Sequence, residues 1–503
     1  MKRILIANRG EIACRIIKCC KLLGHTSITL HSEADKNSLH TRMSDESYYL
    51  GLSKAEESYL NVKAILKIAE DANVDAIHPG FGFLSENKSF AEAVIQKGIT
   101  WIGPSPKNIE NMGSKNLSRE LATAAGLPIC PGINDLSTVS EDELKSQCEE
   151  IGYPILIKAS AGGGGIGMSI AKNYEELKNS ISKTKNLALK AFGDDHIFLE
   201  KFIQKARHIE VQVFGYGKDG AIHLYERDCS MQRRFQKVIE ESPAPNVHPK
   251  ILREMAECAK NLTATQKYDG AGTVEFIYDV EGKKFYFLEM NTRIQVEHPV
   301  TEMVTNIDLI AMQIQYAFNR NKKIIDQENI TVYGNSIECR VYAEDPDNNF
   351  IPSPGVIKKL HFPKIPSGIR LDWGFEEGDE ISFYYDPMIG KIISHEHNRE
   401  NAINNLINFL ELIEIKGIKT NISFLLSLLK SNSFKRGTHN TKFIENNMNS
   451  VNAISAKLHK TKEQLTKNTV KVDPGKIKIV QTSEASKYNS LKRNKEMKVV
   501  FFD

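Results

Sequence analysis

The chain has 503 residues, 41% of them hydrophobic and 26% charged, which excludes wholesale disorder and gives enough apolar mass for a core without disulfide or metal staples. Lysine and arginine total 66 against 63 acidic residues, a net charge of +3, which argues against a dedicated nucleic-acid binder. Eight cysteines, none in a C-x-x-C pair, read as free thiols in a reducing compartment. The apolar start Ile4-Leu5-Ile6 is interrupted by Arg9, Glu11 and Arg15, which a signal-peptide core does not tolerate, and no run of about 18 apolar residues offers a membrane span. The chain therefore reads as cytoplasmic, with no membrane and no nucleic acid as partner.

Residues 3–7 predict a short buried strand, Asn8-Arg9-Gly10-Glu11 a tight turn, and Ile12, Cys14, Ile16 and Ile17 the start of a helix. Strands at Ser27–His31, Ala76–His78 and Thr100–Ile102 alternate with helices near Asn61–Ala72 and Phe90–Lys97. This pattern predicts a doubly wound α/β domain over 1–112. Residues 113–203 read as a linker and a small lid domain. It has strands at Pro154–Ala159, Met168–Ala171 and Phe198–Phe202, a helix at Tyr174–Ala191, and a glycine-rich hairpin between the first two strands. Residues 204–446 form a β-rich C-terminal unit with strands at His208–Phe214, Ala221–Arg227, Gly272–Tyr278 and Lys284–Asn291, and a helix near Glu400–Leu410. In the first of these strands Ile209, Val211 and Val213 share one face and His208, Glu210 and Gln212 the other. Residues 447–503 are a basic extension: from 451 onward, 11 Lys and 1 Arg face 5 acidic residues, or +7, leaving −4 for the rest. It reads as a solvated tail or as a docking arm for a partner subunit.

Three stretches can carry chemistry. In Lys158-Ala159-Ser160-Ala161-Gly162-Gly163-Gly164-Gly165-Ile166-Gly167, glycines let backbone N–H groups approach phosphate oxygens. A strand follows this loop where a dinucleotide fold would place a helix, and no Walker lysine closes it. It is a lid over a nucleotide, with Lys158 at its base, or else a flexible linker. In Glu289–Glu297, an extended chain would put Glu289, Asn291, Arg293, Gln295 and Glu297 on one face, beside Glu275 of the neighbouring hairpin. Carboxylates and an amide oxygen suit Mg²⁺, an arginine suits a planar oxyanion, and a further carboxylate suits a base. The alternative is a solvated strand of mixed charge. The basic cluster Glu226–Lys237 reads either as part of the same site or as a surface loop.

Together these stretches closely resemble biotin carboxylase, a member of the ATP-grasp superfamily. The resemblance rests on Ile6–Ala13, His78–Asn87, Met112–Lys115, the glycine loop, Glu226–Gln236 and Glu289–Glu302, in family order over residues 1–446. It implies an ATP-grasp fold and ATP-dependent carboxylation of biotin by bicarbonate. It also implies roles by position. Lys115, Lys158, Glu200, Lys201, Ile203, His208 and Gln232 would contact ATP, with Gly164 and Gly165 as lid amides. Glu275, Glu289 and Asn291 would hold Mg²⁺ or Mn²⁺. Lys237, Arg293, Gln295 and the Val296 backbone would cradle bicarbonate, Glu297 would be the base, and Arg340 would face biotin. A homodimer is a family expectation.

Two positions depart from the family pattern. Ile166 stands where Lys or Arg is usual in the glycine loop, and Phe235 stands where His is frequent; altered ATP affinity is the expected result. The family's biotin-acceptor motif Ala-Met-Lys-Met has no full counterpart, since Glu496-Met497-Lys498-Val499 keeps only the central pair. The expectation is that a separate carrier protein bears the biotin and a separate carboxyltransferase subunit uses it, the final acceptor being an acyl-CoA or pyruvate.

Overall fold

In the computed structural model, residues 1–134, 136, 139–159, 168–193 and 195–451 are described. The glycines Gly164 and Gly165, Ile166 and the extension beyond 451 lie outside them.

The N-terminal sheet is parallel, with strands β1 (Arg3–Ile6), β2 (Thr26–Ser32), β3 (Glu46–Gly51), β4 (Ala76–His78) and β5 (Thr100–Trp101) in the order β3-β2-β1-β4-β5. Strand β1 is central and apolar because both its faces are covered, and Leu5 and Ile77 lie in one core with Phe90 and Trp101. The sequence pattern finds every strand here except β3, whose Glu-Ser-Tyr-Tyr-Leu-Gly run is half exposed and offers no buried stripe. The His78-Pro79-Gly80-Phe81-Gly82 loop is pinned by Asn8, whose amide donates to the carbonyls of Pro79 and Phe81, both at 2.7 Å. Gly80 sits at φ +62°, where a Cβ would lie 2.9 Å from the Asn8 amide nitrogen, so the turn requires glycine.

The second sheet has four antiparallel strands, β6 (Gly132–Ile133), β7 (Ile155–Ala159), β8 (Met168–Ala171) and β9 (Ile197–Lys201), in the order β6-β9-β7-β8. A helix at Tyr174–Phe192, capped by Asn173, covers one of its faces. The third sheet is the frame of the molecule. Its strands β10 (Ala206–Tyr216), β11 (Ala221–Arg233), β12 (Gln236–Ser242), β13 (Asp269–Asp279), β14 (Lys284–Asn291), β15 (Asn335–Tyr342), β16 (Ile369–Trp373) and β17 (Met388–Glu396) run in the order β14-β13-β10-β11-β12-β15-β17-β16. All registered pairs in it are antiparallel.

Strand β10 alternates in sequence, yet all eleven of its residues are buried. Ile209, Val211 and Val213 pack with Met255, Ala259 and Leu262 of the helix Pro249–Thr265. At about 1.5–3 kcal/mol for each fully buried aliphatic side chain, this layer is a principal stabiliser of the frame. The opposite face carries His208, Glu210 and Gln212, buried not by apolar packing but by one another and by the residues described below.

The N-terminal domain is joined to the frame by buried charges. From the helix Gly10–Leu22, Arg15 reaches Glu302 at 3.1 Å and Asp308 at 2.6 Å, and Arg370 adds a bond to Glu302 at 2.7 Å. One turn earlier Glu11 lies 3.2 Å from the Lys391 ammonium, which is wholly buried.

Two buried histidines make the fold acid-sensitive. The His40 Nε2–H donates to the Leu30 carbonyl at 3.2 Å, and Nδ1 of His78 accepts the Gly80 N–H at 3.0 Å. Burial lowers them to about 4 and about 3. Below about pH 6.5 the unfolded chain binds protons that the native histidines refuse, so stability is lost as pH falls. The expected contribution is about 2 kcal/mol per histidine by about pH 5. Chemical denaturation of His40→Gln and His78→Asn at several pH values should show a flatter acid slope than the parent chain; an unchanged slope refutes this.

Candidate functional site

The register of the large sheet builds the site. Arg227 of β11, Glu210 of β10, Glu275 of β13 and Glu289 of β14 are successive cross-strand partners, forming one lateral row with three carboxylates side by side. Like charges directly opposite destabilise a sheet, so this row needs cations. Arg227 supplies one at its end. Its guanidinium is fully buried and donates to Glu210 at 2.5 Å, Gln212 at 2.7 Å and Gln295 at 2.9 Å, and to the hydroxyls of Thr301 and Thr273.

Lys237 supplies the second. Its ammonium lies 2.6 Å from Glu210, 2.8 Å from Glu275 and 2.6 Å from Glu297. Strand β12 delivers it through a two-residue turn, Arg234-Phe235, in which both residues have positive φ, 49° and 66°. Such a turn ordinarily takes Asn and Gly, and non-glycine residues held there mark a place where backbone strain is maintained for a purpose. The turn makes Gln232 and Lys237 cross-strand partners. Gln232 bonds to Nδ1 of His208 at 2.9 Å, and Nε2 of His208 lies 3.0 Å from Glu275.

The row Glu289–Glu297 is extended only as far as Asn291. A bulge between Glu275 and Phe276 offsets the pairing, and the chain then turns so that Glu297 becomes the N-cap of the helix His298–Thr305. The five polar residues still converge, through this turn instead of through strand alternation. The Glu297 carboxylate is clamped by Lys237 and by Nη2 of Arg340 at 3.0 Å. Burial opposes its charge, but Lys237, Arg340 and Arg227 outweigh burial and hold it well below the usual carboxylate range. Glu275 is also lowered: burial is overcome by Lys237 and His208. Glu289 is raised, by burial and then by the facing Glu275 carboxylate. Arg293 is not open to solvent at all its donors. Its Nε meets Glu86 at 2.9 Å and Nη2 meets Asn291 Oδ1 at 3.0 Å. Gln295 donates to Glu275 at 2.9 Å, and the Val296 carbonyl accepts from Lys391 at 2.7 Å.

The smaller sheet faces these groups across a cavity of about 710 Å³. Lys158, at the end of β7, pairs with Glu200 of β9, which Arg119 also engages. Lys115 opens the helix Lys115–Ala124, and burial lowers its ammonium while Glu289 pulls the other way. Lys201 and Ile203 line the same wall, and Phe235, 56% exposed, stands at the cavity edge. Every described residue expected in the site lines this cavity, Arg340 included. Gly164 and Gly165 are the two expected residues that lie outside the described chain. Most of the basic cluster is no surface loop: Glu226 to Arg233 is buried within β11, and only the Arg234-Phe235 turn is exposed.

Sequence reasoning gave no role to Glu86, Arg119, Glu210, Arg227 or Lys391. Glu210 and Arg227 were visible as charges inside strands of high β-propensity, and Lys391 as a lone charge in the apolar run Met388–Ser394; a charge in such a place is buried with a partner or not at all.

The donor chemistry fits a hard divalent cation at Glu275 and Glu289, two adjacent carboxylates whose mutual repulsion a cation would relieve, with Asn291 as an oxygen donor beside them. The cluster His208, Glu210 and Glu275, whose ligand atoms lie within 4.8 Å of one another, is different. Lys237 already neutralises it, so it suits a cation poorly.

A nucleotide-sized cavity between a small antiparallel sheet and a larger one, with lysines on one wall and paired carboxylates on the other, defines an ATP-grasp protein. Comparison with known proteins narrows this class. The biotin carboxylase N-terminal domain matches residues 1–109, the ATP-binding domain of the carbamoyl-phosphate synthase L chain matches 114–324, and the biotin carboxylase C-terminal domain matches 338–446. Biotin carboxylase 1 of Bacillus subtilis is 46% identical over 445 residues, covering 88% of this chain and 98% of that protein. The α subunit of mouse mitochondrial methylcrotonoyl-CoA carboxylase is 45% identical over 442 residues, and this chain spans 61% of that longer protein's length. The crystal structure of a Campylobacter jejuni biotin carboxylase complex superposes with a TM-score of 0.83 at 42% identity, covering 88% of this chain and 98% of that one. The chain belongs to the biotin carboxylase family.

Lys237→Gln should leave Glu210, Glu275 and Glu297 without their shared cation. Breaking a buried ion pair from one side costs about 3–5 kcal/mol. Glu275 and Glu297, both held low chiefly by Lys237 against burial, would then titrate higher, so the loss should be largest near pH 8 and shrink toward pH 6. Thermal melts at both values check this; a loss equal at both sinks the account.

Proposed function

We propose that the chain catalyses the ATP-dependent carboxylation of biotin with bicarbonate, the first half-reaction of a biotin-dependent carboxylase. One juxtaposition carries this reading: the Glu275–Glu289 pair, suited to a nucleotide-bound cation, shares a cavity with a carboxylate, Glu297, held ionised between Lys237 and Arg340.

ATP lies in the cavity with Lys115 and Lys158 toward its phosphates and His208, Gln232, Glu200, Lys201 and Ile203 around it, under the glycine loop. Mg²⁺ or Mn²⁺ at Glu275 and Glu289, helped by Asn291, supplies neutralisation of the transferred phosphoryl group. Bicarbonate enters the cradle of Lys237, Arg293, Gln295 and the Val296 backbone. Its anion competes with Glu86 for Arg293, so the arginine exchanges one carboxylate partner for another at little desolvation cost. Glu297 takes the bicarbonate proton, and the resulting oxyanion attacks the γ-phosphorus, expelling ADP and forming carboxyphosphate. A labile acyl phosphate requires exclusion of water, which suits a closing lid. Carboxyphosphate divides into CO₂ and phosphate, phosphate removes the ureido N–H proton of biotin, and the nitrogen attacks CO₂. Arg340 stabilises the negative charge that develops on the ureido oxygen.

The half-reaction calls for a biotin carrier protein to present the biotin and a carboxyltransferase to use the product, and these are proposed as separate subunits. Homodimerisation fits a family in which a Hydrogenobacter thermophilus relative, 42% identical, has been solved as a dimer. Among the described residues no helix is long and apolar enough to cross a membrane; a cytoplasmic location accords with that.

ADP release from MgATP should require bicarbonate, rise on addition of free biotin and fall at least a hundredfold in Glu297→Gln, while ATP binding persists. Turnover indifferent to bicarbonate and biotin overturns the reading in favour of another ATP-grasp ligase.

A further inference from the structure

Arg340 is held from two sides. Its Nε donates to Oε1 of Glu240 at 2.6 Å, and its Nη2 to Oε2 of Glu297 at 3.0 Å. The two bonds use different nitrogens of a planar guanidinium, so one can break while the other keeps the plane in place. Glu240 is fully buried on β12 and is the cross-strand partner of Glu338 on β15. Oε2 of Glu240 and both oxygens of Glu338 are buried with no hydrogen-bond partner. Two adjacent buried carboxyls satisfied by one arginine are costly. Nothing in the sheet's own packing calls for them, since Cys339 and Val341, on the other face of β15, lie in an apolar core.

We propose that Glu240 is a positioning residue for Arg340, anchoring the guanidinium through Nε so that Nη2 can pass from Glu297 to the ureido oxygen of biotin. This rests on the reading of Arg340 given under the proposed function. The order of events follows from charge. While Glu297 is ionised, Arg340 is shared between two carboxylates. Once Glu297 has taken the bicarbonate proton, its pull on Nη2 disappears and Glu240 is the remaining anionic partner. Glu297 is also one of the groups that raise the Glu240 carboxyl, after burial and against the pull of Arg340, to about 7. Neutralising Glu297 therefore strengthens the anchor at Nε at the moment Nη2 is released. Burial, against the pull of Lys391, holds Glu338 well above the ordinary carboxyl range and so favours its neutral form. It lets Glu240 bear the charge alone.

The experiment measures ADP release by the full chain at saturating MgATP and bicarbonate, with free biotin varied from zero. Glu240→Gln should lose biotin stimulation at least tenfold more than it loses biotin-free turnover, through a higher KM for biotin, a lower stimulated kcat, or both. Equal losses in the two rates would mark a merely structural role and overturn the proposal. Glu338→Gln, a neutral isostere, should keep the stimulation ratio within about twofold; loss of the ratio there refutes the neutral acid. The comparison of Arg340→Gln with the double variant Arg340→Gln/Glu240→Gln stands even if Glu240→Gln alone does not fold, because the double variant restores charge balance. The two should match within about twofold, residues that act as a unit being non-additive. A further tenfold loss in the double variant overturns the proposal. Absence of biotin stimulation in the parent chain would instead be a failure of the proposed function, and the anchoring role would fall with it.

Discussion

The Lys237 ammonium, sunk among Glu210, Glu275 and Glu297, is the contact on which the site depends. Without it, three buried carboxylates would lose the one cation they share and keep only Arg227, Arg340 and His208 at their margins, and their repulsion and desolvation would weigh heavily against the fold. With it, the same carboxylates become a set of ionised groups at fixed positions. The cation does three things at once. It permits the acidic row to be buried, it favours the ionised form of Glu297, and it ties β10, β12, β13 and the helix beginning at His298 into one wall.

The rest of the frame follows from the need to hold that cation in place. Over His208–Val213 one face of β10, Ile209, Val211 and Val213, is aliphatic and anchored on a helix; the other, His208, Glu210 and Gln212, is polar. A one-residue slip would exchange the two faces, burying Ile209 and Val211 against the charges and driving Glu210 into the aliphatic layer. Register is thus fixed from both sides, by the hydrophobic effect and by electrostatics. The strained Arg234-Phe235 turn belongs to the same constraint, since it sets Lys237 opposite Gln232 and over the row. One sheet, with the turn that follows β14, brings the carboxylate pair Glu275 and Glu289, the guanidinium of Arg293 and the ionised Glu297 to a single cavity wall.

Much of this was legible in the sequence. Collinear motifs gave the family, and alternation gave β10 with its faces correctly divided. What the alternation did not say is that the polar face is buried too. Periodicity separates two faces but does not tell which of them meets water, and only the distant partners, Arg227 and Gln295 among them, close the polar side. The row from Glu289 to Glu297 illustrates a different limit. Its residues converge as the pattern suggests, but by a turn and a helix cap after Asn291, where the strand ends. Lys391 and Glu240 were illegible in role, since a single buried charge announces that it has a partner without naming it.

The helix Gly10–Leu22 has a consequence for how the chain is made. Its Glu11 and Arg15 have partners at Glu302, Asp308 and Lys391, roughly three hundred or more residues downstream. During synthesis the N-terminal sheet emerges with one covering helix whose buried charges have nothing to pair with, so that helix cannot settle against its final neighbours until most of the polypeptide has left the ribosome. The nascent N-terminal domain must therefore keep that face wet or shielded by a chaperone, and assembly of the catalytic frame and completion of the N-terminal domain become a single late event.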